Sequence, residues 1–227
     1  MDNKEVHKLV KKRVNEFLRA NGFVRQDASS WVRSTDEIIQ MVFLHFSYGQ
    51  QFFSIDIVVQ PWCIPEDMIY FTISTRLYLI NNTTGKRVWG SYDEAELIAD
   101  IEDALLVLGK DGFSLLDKTA DCLSLINVIK TTGINIFTVD PINKARLYTY
   151  MYFYKRQLID AYKWHNEYYE LCKKYSSEEN IKKDLDNFDQ LALYAKEMEY
   201  EKIDGFFKAL IEDNIKKLKL KCKLSFE

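Results

Sequence analysis

Three runs between Gly22 and Trp89 alternate apolar and polar residues with few breaks. Such alternation gives one face of a strand to a core and the other to a second environment. In Phe52–Gln60, the residues Phe53, Ile55, Ile57 and Val59 share one face, with Ser54, Asp56 and Gln60 opposite. In Met68–Ile80, the residues Ile69, Phe71, Ile73, Leu77 and Leu79 point one way, and Tyr70, Thr72, Ser74, Arg76 and Tyr78 point back. Ile38–Tyr48 is apolar on both faces, as a central strand is. Few folds other than a twisted antiparallel sheet accommodate three such runs.

Helical spacing takes over on either side. Val6, Leu9, Val10, Val14, Phe17 and Leu18 predict a helix over 3–21, with Gly22 at its left-handed C-terminal position. The corner Tyr48-Gly49-Gln50 and the turn Asn81–Gly85 join strands, the second leading to Arg87-Val88-Trp89. Ser91–Glu94 reads as a capping box opening a helix to Leu108. Gly109–Gly112 is expected to stop that helix, and another follows over Ser114–Thr131. Asp140-Pro141 opens a long helix to Tyr175, Ser176–Glu179 opens the next to Glu199, and the last spans Glu201–Leu218. Residues 217–226 fit either a continued helix or a lysine-guarded edge strand.

The expected fold class is therefore α+β. It has an antiparallel sheet of about 4–6 strands, an N-terminal helix and following helices packed on it, and a C-terminal helical extension. The short extended link Gly133–Val139 marks the boundary, giving an α+β domain over 1–132 and a helical region over 133–227.

A chain of 227 residues buries enough surface to need no metal or disulfide. The four cysteines Cys63, Cys122, Cys172 and Cys222 are scattered without metal-ligand spacing, so no cofactor and no metal are expected. The opening residues MDNKEVHKLVKKR lack the apolar core of a signal peptide, and no apolar run approaches the length that spans a bilayer. A reduced, cytoplasmic protein with no membrane partner is the expectation. The net charge of −3 supplies no field for nucleic acid. The basic face Lys4, Lys8, Lys11, Lys12 and Arg19 has no stacking platform beside it, so no nucleic-acid partner is expected.

The helix ending in Asn21-Gly22-Phe23, then Trp31, the strand Ile38–Ser47 and the strand Phe53–Val59 follow a recognisable order. Arg76 in Ser-Thr-Arg-Leu and Trp89 in Arg-Val-Trp-Gly come after them. In these features residues 1–110 resemble domain-of-unknown-function family 4304. The resemblance implies an α+β fold and no particular activity, and it does not extend to the helices after Gly133.

Motifs for catalysis are lacking: there is no nucleophile elbow, zinc-protease helix or phosphate-binding loop. Two constellations stand out instead. Arg76, Asp56, Tyr70 and His45 lie on strands that, if adjacent, would gather a small polar site whose arginine fork suits a carboxylate or phosphate. Tyr150, Phe153 and Trp164 lie off the main apolar stripe of a long aromatic helix and offer an interface with a protein partner. The leading expectation is a non-catalytic protein-binding module of a regulatory or immunity type. The alternative is a small-ligand binder or enzyme at the sheet around Arg76.

Overall fold

The computed structural model describes residues 1–47, 51–65, 73–131, 140–175 and 178–221. Within them the chain divides into two compact units. One comprises Met1–Gln60, Ile73–Thr138 and Leu220–Glu227, and the other Pro61–Thr72 and Val139–Lys219.

The first unit holds a sheet of strands β1 (Val24–Arg25), β2 (Ser30–Ser34), β3 (Ile38–Phe46), β4 (Phe53–Pro61) and β5 (Ser74–Arg76), in spatial order β1-β2-β3-β4-β5. The expected α+β architecture is what the chain adopts, and β3, apolar on both faces, is the middle strand. Trp31 sits opposite Val42 and Arg33 opposite Gln40 in the antiparallel β2–β3 register. Helix α1 (Asn3–Ala20) buries Val6, Val10, Val14 and Leu18, and Trp31 donates its indole N–H to Asn15 Oδ1 at 2.9 Å. It ends as its sequence predicts. Gly22 adopts φ +81° while its N–H and that of Phe23 reach the carbonyls of Arg19 and Leu18, the doubly bonded left-handed helix end.

Gln40, 1% exposed, is the polar exception in the centre of the sheet. Its amide donates to the Leu116 carbonyl at 2.7 Å, and its oxygen accepts from Arg33 Nε at 2.7 Å. Arg33 in turn covers the rings of Phe23 and Phe113, at 4.7 and 5.5 Å from their centroids. A buried amide is tolerated here because both ends are bonded.

Several local expectations are corrected. The run after Ile73 is a strand only over Ser74–Arg76; Leu77–Ile80 then forms a helical turn, α2. Leu77 and Ile80 are buried at helical spacing, whereas Leu79 is half exposed. No hairpin follows: Asn81 Oδ1 accepts from the N–H groups of Thr84 and Gly85, and Asp111 accepts from those of Asn82 and Thr83. Trp89 makes only an isolated bridge to Phe53.

Helix α3 (Glu94–Val107) starts at Asp93 rather than Ser91, Asp93 accepting from the Glu96 N–H. Gly109–Gly112 does not stop the helix but lies in a π-helical turn over Leu108–Gly112 that runs into α4 (Phe113–Lys118). A Cβ on Gly112 would stand 2.8 Å from Leu108 and 3.0 Å from Ile57, so this glycine permits close packing instead of breaking the chain. The break comes later, before α5 (Cys122–Thr131).

The second unit contains α6 (Pro141–Tyr154), α7 (Leu158–Tyr175), α8 (Glu178–Lys196) and α9 (Tyr200–Leu218). Asp140 caps α6 with Pro141 at the first position, as expected. The single long helix expected to Tyr175 is instead two, divided at Lys155–Gln157 where Arg156 adopts φ +54°. Within this unit Asn214, 1% exposed, donates to the carbonyls of Trp62 and Ile64 at 2.8 and 2.6 Å, fastening the segment that follows β4 to α9. Helix α9 stops at Leu218, with Lys219 left-handed at φ +46°. The corner at Tyr48–Gln50, the residues Ile69, Tyr70 and Phe71, the link at Gly133–Val139, the start of the Ser176 capping box and the last residues from Cys222 lie outside the described residues.

Candidate functional site

The sheet brings together three of the four polar residues singled out there. Asp56 on β4 lies directly opposite Arg76 on β5, and His45 arrives from β3 on the other side. His45 Nε2 is 3.3 Å from Asp56 Oδ2. The row therefore runs His45, Asp56, Arg76 across three adjacent strands. Tyr70 lies outside the described residues.

The three side chains differ in setting. The Asp56 side chain is 16% exposed and that of His45 is 47% exposed, while Arg76 is exposed. Asp56 Oδ1 is buried without a hydrogen-bond partner. The Arg76 guanidinium is near enough to Asp56 for its charge to favour the ionised carboxylate. Burial raises the Asp56 carboxyl above its ordinary value, and the charges of His45 and Arg76 pull it back only in part.

This has a pH consequence. A raised carboxyl pKa means that the folded chain holds the proton more tightly than the unfolded one. The contribution is fully present below the unfolded value near 3.8 and is lost as pH rises through the folded value. Asp56→Asn is expected to remove that loss. In urea titrations from pH 3 upward (about the unfolded carboxylate range), the variant should gain on the native protein as pH rises above this range. A difference between the two that stays flat would contradict the assignment.

The aromatic trio is placed differently from the sequence expectation. Tyr150 and Phe153 are 0% exposed, and Trp164 is half-buried with its ring edge-on to Tyr148 at 4.6 Å. Tyr150 packs on Phe188 and Phe153 on Tyr162. None of the three forms an open aromatic surface. The helix break at Arg156 shifts the helical phase, so no single apolar stripe runs through α6 and α7.

Two features were not visible in the sequence. The first is a buried polar knot. Asp184 on α8 accepts from Arg146 Nε at 2.8 Å and from the Tyr150 hydroxyl at 2.7 Å, while Asn187 donates to the Tyr150 oxygen at 2.9 Å. Arg146 also reaches the Pro65 carbonyl at 2.9 Å. Burial first, then the Asp184 charge, pushes the phenols of Tyr150 and Tyr168 far above their ordinary value, so both stay neutral donors.

The second is the end of the helical unit where the α6–α7 and α8–α9 turns meet. Arg156 from the first turn pairs with Asp204 of α9 and covers the Tyr200 ring, and the Tyr162 hydroxyl donates to the Ala192 carbonyl at 2.9 Å. Both turns repeat the left-handed ending of α1. The N–H groups of Arg156 and Gln157 reach Phe153 and Tyr152, and those of Met198 and Glu199 reach Ala195 and Tyr194. Yet Arg156 and Met198, at φ +54° and +59°, stand where α1 uses glycine. A side chain in this conformation is strained by about 1 kcal/mol or more. Met198 is 75% exposed, Ile159 beside the first turn is 88% exposed, and Leu193 and Tyr200 are exposed near them.

Among the described residues no group of acidic, histidine or cysteine side chains is arranged to hold a metal, and no helix is long and apolar enough to cross a membrane. Cys63, Cys122 and Cys172 are buried and not joined in disulfides. No protein-family model, curated protein or solved structure matches this chain, so the geometry above carries the functional reading.

Proposed function

We propose that this chain is a non-catalytic, cytoplasmic protein-binding module whose contact surface is the end of the helical unit around Ile159 and Met198. One observation carries the reading. Met198 occupies a left-handed position that glycine fills at lower cost, and its side chain is 75% exposed there rather than contributing to a core. Strain retained with no gain in packing is understandable if the side chain serves an external contact. Ile159, at 88% exposure, adds a second exposed apolar group just after the α6–α7 turn. Arg156 of that turn pairs with Asp204 and covers Tyr200 after the α8–α9 turn. A partner with an apolar anchor framed by polar groups of both signs would suit a surface that also carries Arg156, Asp204 and Glu199.

The variant Met198→Gly separates binding from folding. It is expected to stabilise the chain by about 0.5–1 kcal/mol in urea denaturation, because the left-handed strain is relieved. The same variant is expected to lose at least tenfold in affinity for the physiological partner. A stabilised Met198→Gly that binds the partner unchanged would sink the proposal.

A further inference from the structure

The row His45–Asp56–Arg76 has no part in the proposed docking surface, and its composition is expensive for a purely structural sheet. A half-buried carboxylate with one buried oxygen lacking a hydrogen bond costs stability that a threonine or asparagine would not. Two groups able to carry positive charge flank it, one on each neighbouring strand. Phe43, two residues before His45 on the same face of β3, stacks with the imidazole at 6.3 Å and an interplanar angle of 16°. The result is a guanidinium fork, a flat aromatic–imidazole platform and a single fixed negative charge between them.

We infer that this row is a binding site for a small monocarboxylate carrying a flat apolar tail, with the Arg76 fork taking the carboxylate and the Phe43–His45 pair taking the tail. The fork presents parallel N–H donors that match the two oxygens of a planar carboxylate. Asp56 selects charge: a doubly charged phosphate meets about twice the repulsion from its carboxylate that a singly charged ligand does. His45, held against Asp56 at 3.3 Å, keeps the platform oriented. Asp56 is a positioning residue here, since its buried oxygen does not reach a ligand.

Benzoate tests this directly, with benzamide and inorganic phosphate as comparisons, by following the His45 ring and Arg76 side-chain NMR signals of the full chain. Benzoate is expected to move both sets saturably. Benzamide, which lacks the charge, and phosphate, which lacks the tail and carries excess charge, are each expected to bind at least fivefold more weakly. Arg76→Ala should weaken benzoate at least tenfold, and Arg76→Lys, which keeps the charge without the fork, should weaken it as well. Arg76 is exposed, so an unchanged melting temperature is expected in both variants. Equal shifts from benzoate and benzamide, or native affinity in Arg76→Lys and Arg76→Ala, would overturn the assignment.

Discussion

Replacing Asp184 with alanine is expected to destabilise the chain by about 3–5 kcal/mol, measured by urea denaturation. The Arg146 and Asp184 side chains are only 16% and 13% exposed, and their 2.8 Å contact is the main compensation for both charges. Without Asp184 the guanidinium keeps its Pro65 carbonyl but loses its 2.8 Å carboxylate contact, and the Tyr150 hydroxyl loses its charged acceptor. A buried charge without its partner is the costly half of such a pair. Removing both charges together is far milder, because well-packed apolar groups do not need each other's charge. The double variant Arg146→Met with Asp184→Leu should therefore recover most of the loss. A single-variant cost under about 1 kcal/mol, the range of an exposed ion pair, would show that water reaches the knot.

Gly90→Ala is expected to cost about 3 kcal/mol or more, since it combines strained backbone with a steric conflict that no rotamer relieves. Gly90 adopts φ +132°, and a Cβ there would lie 2.4 Å from the Gln51 carbonyl oxygen and 2.8 Å from Phe52 Cα. These are main-chain atoms just before β4, and they cannot swing aside as a side-chain tip can. Relief requires parting Trp89 from Phe53, whose N–H donates to the Trp89 carbonyl at 2.9 Å. The Trp89 indole N–H, bonded to Asp103 at 2.7 Å, should then shift in NMR spectra. Gly205→Ala is the control. That glycine lies inside α9 with nothing within 4 Å of a Cβ, so alanine there should stabilise by about 0.5–1 kcal/mol. A Gly90→Ala variant as stable as Gly205→Ala would contradict the description of the 81–90 loop.

The contrast between Gly22, Gly90 and Gly112 shows where the sequence was legible. Gly22 follows an amphipathic run and could be read as a helix end. Gly112 was expected to break a helix, but its role is set by Leu108 and by Ile57 from a distant strand, which local spacing does not reveal. The two-sided apolar run of β3 and the alternation of β4 were readable because each depends only on burial along its own strand. The run after Ile73 was misread because Leu77, Leu79 and Ile80 satisfy both the two-residue and the three-residue period, and the turn built by Asn81 and Asp111 favours the helix.

The candidate sites divide in the same way. Asp56 and Arg76 could be suspected as neighbours from their parity on adjacent runs. The approach of His45 to Asp56 depends on the β3–β4 register, which a corner expected at Tyr48–Gln50 does not fix to the residue. The docking end was invisible because its defining residues, Arg156 and Met198, occupy positions where glycine is the usual signal and here is absent. Tyr150 and Phe153 are buried by neighbours from other helices, among them Phe188 and Tyr162, and spacing along one helix does not reveal such neighbours.

The proposed role as a binding module is tested most directly by photocrosslinking from position 159 in cells, with a benzophenone side chain in place of Ile159 and, as reference, of Lys12 on α1. The account expects a discrete adduct of one protein from position 159, absent from position 12 and lost when Met198→Gly is added to the chain. No adduct at 159, or an adduct that persists with Met198→Gly, would contradict it.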